Sequence, residues 1–200
     1  MKDRRTFIKY FAIAGIAAAL RVDACAKQRS TNSVQFTKGV REQAKDISVP
    51  SGRWQWIVGH HSAIKNGNAA IYDRAHRQRG MENGLAYHFV IGNGVDSDDG
   101  EIEIGHRWLK QLKGGHVHRE DINEVGIGIC LVGNFEETRP TRKQLMAFRE
   151  LVGYLRSDVV GKQVRFAVHR EIDPGRTVCP GRYFPIEQMH HLYGAFVAPV

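Results

Sequence analysis

The chain has 200 residues, of which 42% are hydrophobic and 25% are charged. This balance is typical of a globular protein and excludes a wholly disordered or fibrous one. Lys and Arg number 29 against 21 Asp and Glu, which gives a net charge of +8, so nucleic acid has to be considered as a partner. The three cysteines, Cys25, Cys130 and Cys179, are too few and too scattered for a disulfide framework.

Residues 1–25 have the three-part plan of an export signal, with a basic start, an apolar stretch and a small-residue site before Cys25. The apolar run at 10–20 has 11 residues, whereas a membrane-spanning helix needs about 20, so a permanent transmembrane anchor is disfavoured. The segment DRRTFIK at 3–9 resembles the twin-arginine export motif.

The end of this signal leaves two alternatives open. VDAC at 22–25 resembles a lipobox, in which the thiol of Cys25 is acylated and the protein stays tethered to the membrane. The alternative is plain cleavage near Ala24 and release into the periplasm. In either case we predict an exported protein, which is located in the periplasm or anchored as a lipoprotein that faces the periplasm.

The rest of the chain is only mildly basic. After residue 25 it has 24 basic and 19 acidic residues, a net charge of +5. No run of Lys and Arg is longer than two there, and aromatic residues are not interleaved with basic ones, so no nucleic-acid partner is expected. Residues 26–50 are polar and aperiodic and end in the turn signal VPSG, which predicts a polar linker before a domain at 51–200.

The domain begins with a β-rich run at 54–59, and helical spacing predicts a helix at 68–78. A strand at 87–91 and a hairpin arm at 102–104 follow. In the next strand, at 126–133, large aliphatic residues alternate with Gly128, Cys130 and Val132, which leaves a slim face that a ligand or backbone can approach. A helix at 141–156, a strand at 164–168 and a helix at about 185–196 complete the pattern. The interleaving predicts a single α/β domain with a mixed central β-sheet flanked by helices.

Three candidate metal ligands follow the predicted strands. His60 and His169 each come directly after an apolar strand, and Cys179 lies in a turn with Pro180 and Gly181. Imidazole nitrogen and thiolate sulfur suit Zn²⁺, and three protein ligands leave a fourth position open, as in catalytic zinc sites. His60 lies 109 residues before His169, so nothing local brings these groups together, and polar caps at strand ends are the alternative interpretation.

Five segments in order resemble a known family over residues 54–184. They are WIVGHHSA, GLAYHFVIGNG, GGHV with NEVGIGICLVGNF, PTRKQ, and AVHREIDPGRTVCPG. Together they are similar to the zinc-dependent N-acetylmuramoyl-L-alanine amidases, the type 2 amidases, which include phage T7 lysozyme and the peptidoglycan recognition proteins. The resemblance implies that one zinc ion per chain is bound by His60, His169 and Cys179, and it gives His61 no ligand role.

The same resemblance implies further site residues. Tyr87 of AYHF and Thr177, two residues before Cys179, match catalytic positions, and both would donate hydrogen bonds to the oxyanion of the transition state. His116 of GGHV would line the substrate groove, and its alternative is a structural role. Asn123 would contact substrate or cap a helix.

Two neighbouring residues are given structural roles. His88 is predicted to face away from Tyr87 and to satisfy a buried backbone group. Cys130, which stands where another branch of the family has a glutamate base, is predicted to be a small buried hydrophobic residue.

The predicted activity is zinc-dependent hydrolysis of the amide between N-acetylmuramic acid and L-alanine, in degradation, remodelling or recycling of the cell wall. Peptidoglycan or muropeptides would be the partners of a monomeric enzyme. One alternative is a non-catalytic peptidoglycan receptor, which the complete ligand set disfavours. The other is a thiol hydrolase with Cys179 as nucleophile and His169 as base.

Overall fold

The computed structural model describes residues 35–199. The predicted export signal, its twin-arginine motif and the acylation of Cys25 lie outside the described residues and stay predictions. Secretion of an Arg4→Lys, Arg5→Lys variant is the measurement that tests the twin-arginine interpretation. Within residues 35–199, no helix is both long enough and apolar enough to cross a membrane.

A mixed five-stranded sheet forms the centre of the domain, as predicted. Its strands are β1 (Trp56–His61), β2 (Phe89–Ile91), β3 (Ile102–Ile104), β4 (Gly126–Leu131) and β5 (Arg165–Val168). The spatial order is β3-β2-β4-β1-β5. β1, β2, β4 and β5 run parallel, and only β3 is antiparallel to its neighbour β2. The carboxyl ends of four strands therefore lie at one edge of the sheet.

Seven α-helices of the described chain surround the sheet. They are α1 (Lys38–Gln43), α2 (Ala69–Gln78), α3 (His106–Leu109), α4 (Glu120–Val125), α5 (Arg142–Tyr154), α6 (His169–Ile172) and α7 (Ile186–Tyr193). The predicted helix at 141–156 is α5, and a π-helical turn over Leu155–Val159 follows it. The short helices α1, α3, α4 and α6 are not predicted by the sequence pattern, because one or two turns are too short to show a helical period.

The two faces of the sheet have different neighbours. Residues Ile57, Ile127 and Ile129 point to the face covered by α5, and they share the largest hydrophobic core with Phe148 and Leu151 of that helix. The opposite face carries Trp56 and Val58 together with Ile122 of α4 and Ile172 of α6. We call this opposite face the site face, because alternation along β1 places His60 on the same side as Trp56 and Val58.

The register of the parallel strands brings two of the predicted ligands together. Gly59 of β1 pairs with Val168 of β5. The residues that follow this pair, His60 and His169, therefore lie side by side although 109 residues separate them in the chain. Their ring centroids are 4.8 Å apart.

The structure differs from the predicted linker over residues 36–50. Helix α1 lies within this range, and its Val40 is buried in the main core. The side chain of Glu150 on α5 accepts hydrogen bonds from the backbone nitrogens of Phe36 and Thr37 and from the Thr37 hydroxyl. The compact unit therefore begins at Phe36 rather than at residue 51. The helix has fewer than two turns and only one buried residue, Val40, so the segment remains as polar as a linker, which explains the difference.

Candidate metal centre

Three structural elements contribute the candidate ligands. His60 lies near the end of β1, His169 begins α6 directly after β5, and Cys179 lies in the loop after α6. The ligand atoms of the three side chains lie within 4.8 Å of one another. His60 is fully buried and Cys179 is almost so, whereas His169 is partly exposed. The structure thus brings the three residues of the prediction into one cluster that can be reached from the side of His169.

Backbone contacts hold the Cys179 loop in place. The backbone nitrogen of Arg170 donates to the Cys179 carbonyl oxygen at 2.8 Å, which ties the loop to the start of α6. Gly181 has φ +97°, and a Cβ on it would lie 2.4 Å from the backbone of Phe135. Only glycine allows this close approach. Gly181 of TVCPG therefore lets the loop pack against the segment after β4.

In each histidine of the cluster, Nε2 has a hydrogen-bond partner outside the three candidate ligands. For His60, Nε2 is 3.0 Å from Nδ1 of His116, and Nδ1 is 3.7 Å from Sγ of Cys179. For His169, Nε2 is 3.0 Å from Oδ2 of Asp173, which also accepts the backbone N–H of His118 at 2.7 Å. Both rings therefore keep Nδ1 available for a cation.

The protonation of the cluster favours cation binding. Burial lowers the pKa of His60 well below its usual value, and the nearby rings of His116 and His169 lower it further. Burial also lowers the pKa of His169, although the Asp173 carboxylate opposes this. Neutral imidazoles are the form that binds metals.

Cys179 is a thiol unless a cation is bound. Burial raises its pKa to about 12, while the backbone N–H of His61, 3.3 Å from Sγ, lowers it. A bound divalent cation reverses this preference because it deprotonates a coordinating thiol. The buried sulfur is therefore suited to a metal ligand and poorly suited to a free nucleophile.

The donor set and its spacing fit zinc. Zinc bonds are about 2.3 Å long to sulfur and about 2.0–2.1 Å long to nitrogen, so sulfur and nitrogen ligands of a tetrahedral site lie about 3.6 Å apart. The observed separation of Cys179 Sγ and His60 Nδ1 is 3.7 Å. Two imidazoles and one thiolate are ligands that zinc prefers, and three of them leave a fourth position for water or substrate.

Tyr87 lies beside this cluster. Its ring centroid is 5.2 Å from that of His60, and the side chain is partly exposed. Burial raises the pKa of Tyr87 well above 10, so its hydroxyl keeps its proton and can donate a hydrogen bond. Thr177 is also partly exposed, and its Oγ1 accepts the backbone N–H of Cys179 at 3.1 Å. This leaves the Thr177 hydroxyl proton free to be donated elsewhere.

His116 and Asn123 are buried on the interior side of His60 and do not line an open groove. Their exposed fractions are 5% and 4%, so little of either side chain is available to a large substrate. Oδ1 of Asn123 accepts the backbone N–H of His116 at 2.9 Å, and its Nδ2 donates to the Val117 carbonyl oxygen at 2.9 Å. Asn123 therefore holds the loop that carries His116. For both residues the structural alternative agrees better with this placement than substrate contact does.

The ring of His116 packs against the slim face of β4. A Cβ on Gly128 would lie 2.4 Å from Cδ2 of His116, so the imidazole fills the space that the glycine leaves. His88 and Cys130 are both fully buried, as predicted. His88 Nδ1 accepts the backbone N–H of Gly128 at 3.0 Å, which confirms that it satisfies a buried backbone group.

Two groups near the candidate ligands are not predicted from the sequence. Asp173 is one: it follows His169 by four residues in HREID, and this spacing on a helix places the two side chains on one face, which was a usable signal. The other is the backbone N–H of His61, which donates to the Cys179 sulfur. A backbone donor has no sequence signature, so only the structure reveals it.

Comparison with known proteins agrees with the fold and the cluster. The sequence pattern of the N-acetylmuramoyl-L-alanine amidase family matches residues 50–182. Mouse peptidoglycan recognition protein 3 is 34% identical over 80 residues, which are 37% of this chain and 20% of the mouse protein. Drosophila melanogaster peptidoglycan-recognition protein SA is 32% identical over 106 residues, 49% of this chain and 48% of the fly protein. The chain thus covers half or less of the length of these relatives.

Among solved structures, the fold is similar to that of the endolysin N-acetylmuramoyl-L-alanine amidase LysCS from Clostridium intestinale URNW. The TM-score is 0.60 at 27% sequence identity, and the alignment covers 75% of this chain and 94% of the endolysin. The similarity therefore extends over nearly the whole of the solved domain.

Proposed function

The chain belongs to the N-acetylmuramoyl-L-alanine amidase family, and on this premise we propose that it is a zinc-dependent hydrolase of peptidoglycan. The bond to be cut is the amide between the lactyl group of N-acetylmuramic acid and L-alanine. Water adds across this bond, so the lactyl side leaves as a carboxylate and the stem peptide leaves with a free amino group on L-alanine.

One observation carries this proposal. Side chains from β1, α6 and the following loop converge. The ligand atoms of two imidazoles and one thiol lie within 4.8 Å of one another. Each has the protonation or the neighbours that a zinc ligand needs: His60 and His169 are neutral, and Cys179 accepts a backbone N–H at its sulfur. A purely structural cluster would not need three such donors in contact.

The residues of the chain would divide the chemical work as follows. When bound by His60, His169 and Cys179, zinc supplies Lewis acidity, which makes water a better nucleophile near neutral pH and polarises an amide carbonyl. Tyr87 keeps its hydroxyl proton and lies next to His60, so it can donate a hydrogen bond as negative charge develops on the carbonyl oxygen. Thr177, fixed two residues before Cys179, can donate a second one.

The experiment measures zinc content and turnover in the same protein. The wild type is expected to contain one zinc per chain and to release stem peptides with a free N-terminal L-alanine from muropeptides, as seen by mass spectrometry. A chelator should abolish cleavage and added zinc should restore it. In Cys179→Ser, zinc and cleavage should be lost together, with a rate decrease of about 100-fold or more.

Cys130→Ser is the matched control, because Cys130 is also a buried free cysteine but lies outside the ligand set. This variant should keep its zinc. Wild-type protein that binds zinc without cleaving any muropeptide would contradict the hydrolase proposal.

A second candidate is a peptidoglycan receptor without activity. It is favoured by the names of the two curated relatives, which are both recognition proteins. The intact ligand cluster argues against it. Muropeptide binding with no release of stem peptide, in zinc-loaded wild type, is the result that would favour the receptor.

A thiol hydrolase is a weaker candidate. It would need a Cys179 thiolate next to a basic histidine, but burial raises the pKa of this thiol to about 12 and lowers that of His169. Full turnover in zinc-free protein would restore this candidate, since a thiol enzyme needs no metal.

A further inference from the structure

A chain of hydrogen bonds runs from His60 into the sheet. Nε2 of His60 is 3.0 Å from Nδ1 of His116, and Nε2 of His116 is 3.2 Å from the carbonyl oxygen of Gly126 at the start of β4. Both histidines are buried, with His60 fully enclosed and His116 5% exposed. The chain of bonds therefore lies away from solvent, where an unsatisfied polar group would be costly.

The Gly126 carbonyl oxygen at the end of this series of hydrogen bonds determines which ring nitrogen of each histidine carries the proton. A carbonyl oxygen can only accept, so a buried, neutral His116 must carry its single proton on Nε2, which leaves Nδ1 bare. That bare Nδ1 can only accept, so His60 must carry its proton on Nε2. The remaining nitrogen of His60, Nδ1, is then unprotonated and lies 3.7 Å from the Cys179 sulfur. This is the tautomer that can bind a cation next to Cys179.

The ring of His116 has little freedom to leave this position. Gly128 and Gly114 border it so closely that a Cβ on either would lie 2.4 Å from Cδ2 of the ring. The backbone N–H of His116 is held by Asn123 at 2.9 Å. The residue is thus fixed by packing on its ring and by a hydrogen bond on its backbone.

We propose that His116 is a positioning residue that fixes the tautomer and orientation of His60 for zinc binding. It acts through His60, and its near-complete burial leaves it little surface to contact substrate. The role is analogous to that of Asp173 on His169, with a neutral imidazole and a backbone carbonyl in place of a carboxylate. A partner of this kind typically changes metal affinity by about 10–100-fold. The proposal rests on the proposed zinc-binding function.

The test compares two buried histidines. His116→Leu removes the acceptor for His60 at similar volume, and His116→Asn keeps an acceptor oxygen close to the position of Nδ1. The control is His88→Leu, since His88 is also buried and has two hydrogen bonds, to Gly128 and Leu112, but none to a candidate ligand. Unfolding of the metal-free variants shows whether His116→Leu and His88→Leu lose comparable stability.

The first readout is zinc affinity by competition with a chelator. His116→Leu should bind zinc about 10–100-fold more weakly than wild type, His116→Asn should recover most of this loss, and His88→Leu should bind as wild type does. A His116→Leu variant that binds zinc as tightly as His88→Leu would overturn the proposal.

The second readout needs no metal. In ¹⁵N-labelled metal-free protein, NMR of the histidine rings should show His60 and His116 protonated on Nε2, and His60 should lose this single tautomer in His116→Leu. If wild type binds no zinc, the proposed function fails, and the tautomer of His60 still decides whether His116 fixes it. An unchanged His60 tautomer in His116→Leu contradicts the proposal. If His116→Leu does not fold, the His60 tautomer is measured in wild type and in His116→Asn. Both should carry the proton on Nε2, and a proton on Nδ1 of His60 in wild type contradicts the proposal.

Discussion

The Asp173 carboxylate is the hydrogen-bond partner of His169 at Nε2, the ring nitrogen opposite the proposed cation position. Its Oδ2 accepts from His169 Nε2 and from the backbone N–H of His118, and the residue is 4% exposed. A carboxylate on the far nitrogen of a metal-binding histidine fixes the ring and makes it a stronger ligand. At the scale of single residues, the two histidines proposed as ligands thus have different hydrogen-bond partners, an imidazole for His60 and a carboxylate for His169.

The contribution of Asp173 can be measured by substitution. Asp173→Asn keeps an oxygen that accepts a hydrogen bond but removes the negative charge, so zinc should bind about 10-fold more weakly, and Asp173→Ala should lose about 100-fold. Chelator competition checks both values. Asp121→Asn is the control, because this exposed carboxylate pairs with Arg119 rather than with a ligand. Zinc affinities equal to wild type in both Asp173 variants would contradict a role in metal binding.

At the scale of elements, α5 covers the face of the sheet opposite the site face. Its N-terminus has a capping box: Thr141 Oγ1 accepts the backbone N–H of Gln144 at 2.9 Å, and Gln144 Oε1 accepts that of Thr141 at 3.1 Å. Nε2 of Gln144 donates to the carbonyl oxygen of Val132 at 2.8 Å, which attaches the helix to the end of β4. The helix therefore stabilises the sheet without touching the ligand cluster.

Loss of this helix cap should lower the stability of the protein and leave its zinc affinity unchanged. Thr141→Ala is expected to lower the free energy of unfolding by about 1–2 kcal/mol, because the Gln144 N–H loses its acceptor. Zinc affinity should be unchanged. Urea unfolding and chelator competition measure the two quantities. Thr138→Ala, an exposed threonine just before the helix, should change neither of them. A drop in zinc affinity in Thr141→Ala would show that the two faces of the sheet are coupled.

At the scale of the whole molecule, the domain buries several neutral histidines. Burial lowers the pKa of His61 and of His116 to about 4, and it lowers the pKa of His88 well below its usual value. In the unfolded chain these groups take up a proton near pH 6.5. Between these pH values the unfolded state binds more protons than the folded state, so acid favours unfolding.

The metal-free protein should therefore be most stable above pH 6.5. As the pH falls from 6.5 towards 4, each buried neutral histidine should remove about 1.4 kcal/mol of unfolding free energy per pH unit. Urea unfolding at pH 8, 7, 6 and 5 measures this slope. His88→Leu should have a shallower slope than wild type, since one group that takes up a proton on unfolding is gone. Equal stability at pH 7 and pH 5 in the wild type would rule out this account.

β-rich runs with turn signals, one alternating pattern and helical spacing correctly predicted the five strands and the helices α2, α5 and α7. These patterns work because strands and long helices repeat every two or about 3.6 residues. Helix α1 was missed and assigned to a linker, because only Val40 of its six residues is buried and no period can be read from fewer than two turns. Asp173 was missed although its spacing of four residues from His169 was a signal. The hydrogen bond between His116 and His60 could not be predicted, because it joins side chains 56 residues apart.

The sequence by itself determined the α/β class, the family and the three residues proposed as ligands, since these depend on local periodicity and on motifs a few residues long. The tertiary structure alone decided that His60 and His169 are neighbours, because the parallel register of β1 and β5 aligns residues 109 positions apart. It also placed Nδ1 of His116 3.0 Å from Nε2 of His60. Hydrogen bonds between distant side chains follow from packing in three dimensions, and no pattern along a single chain records them.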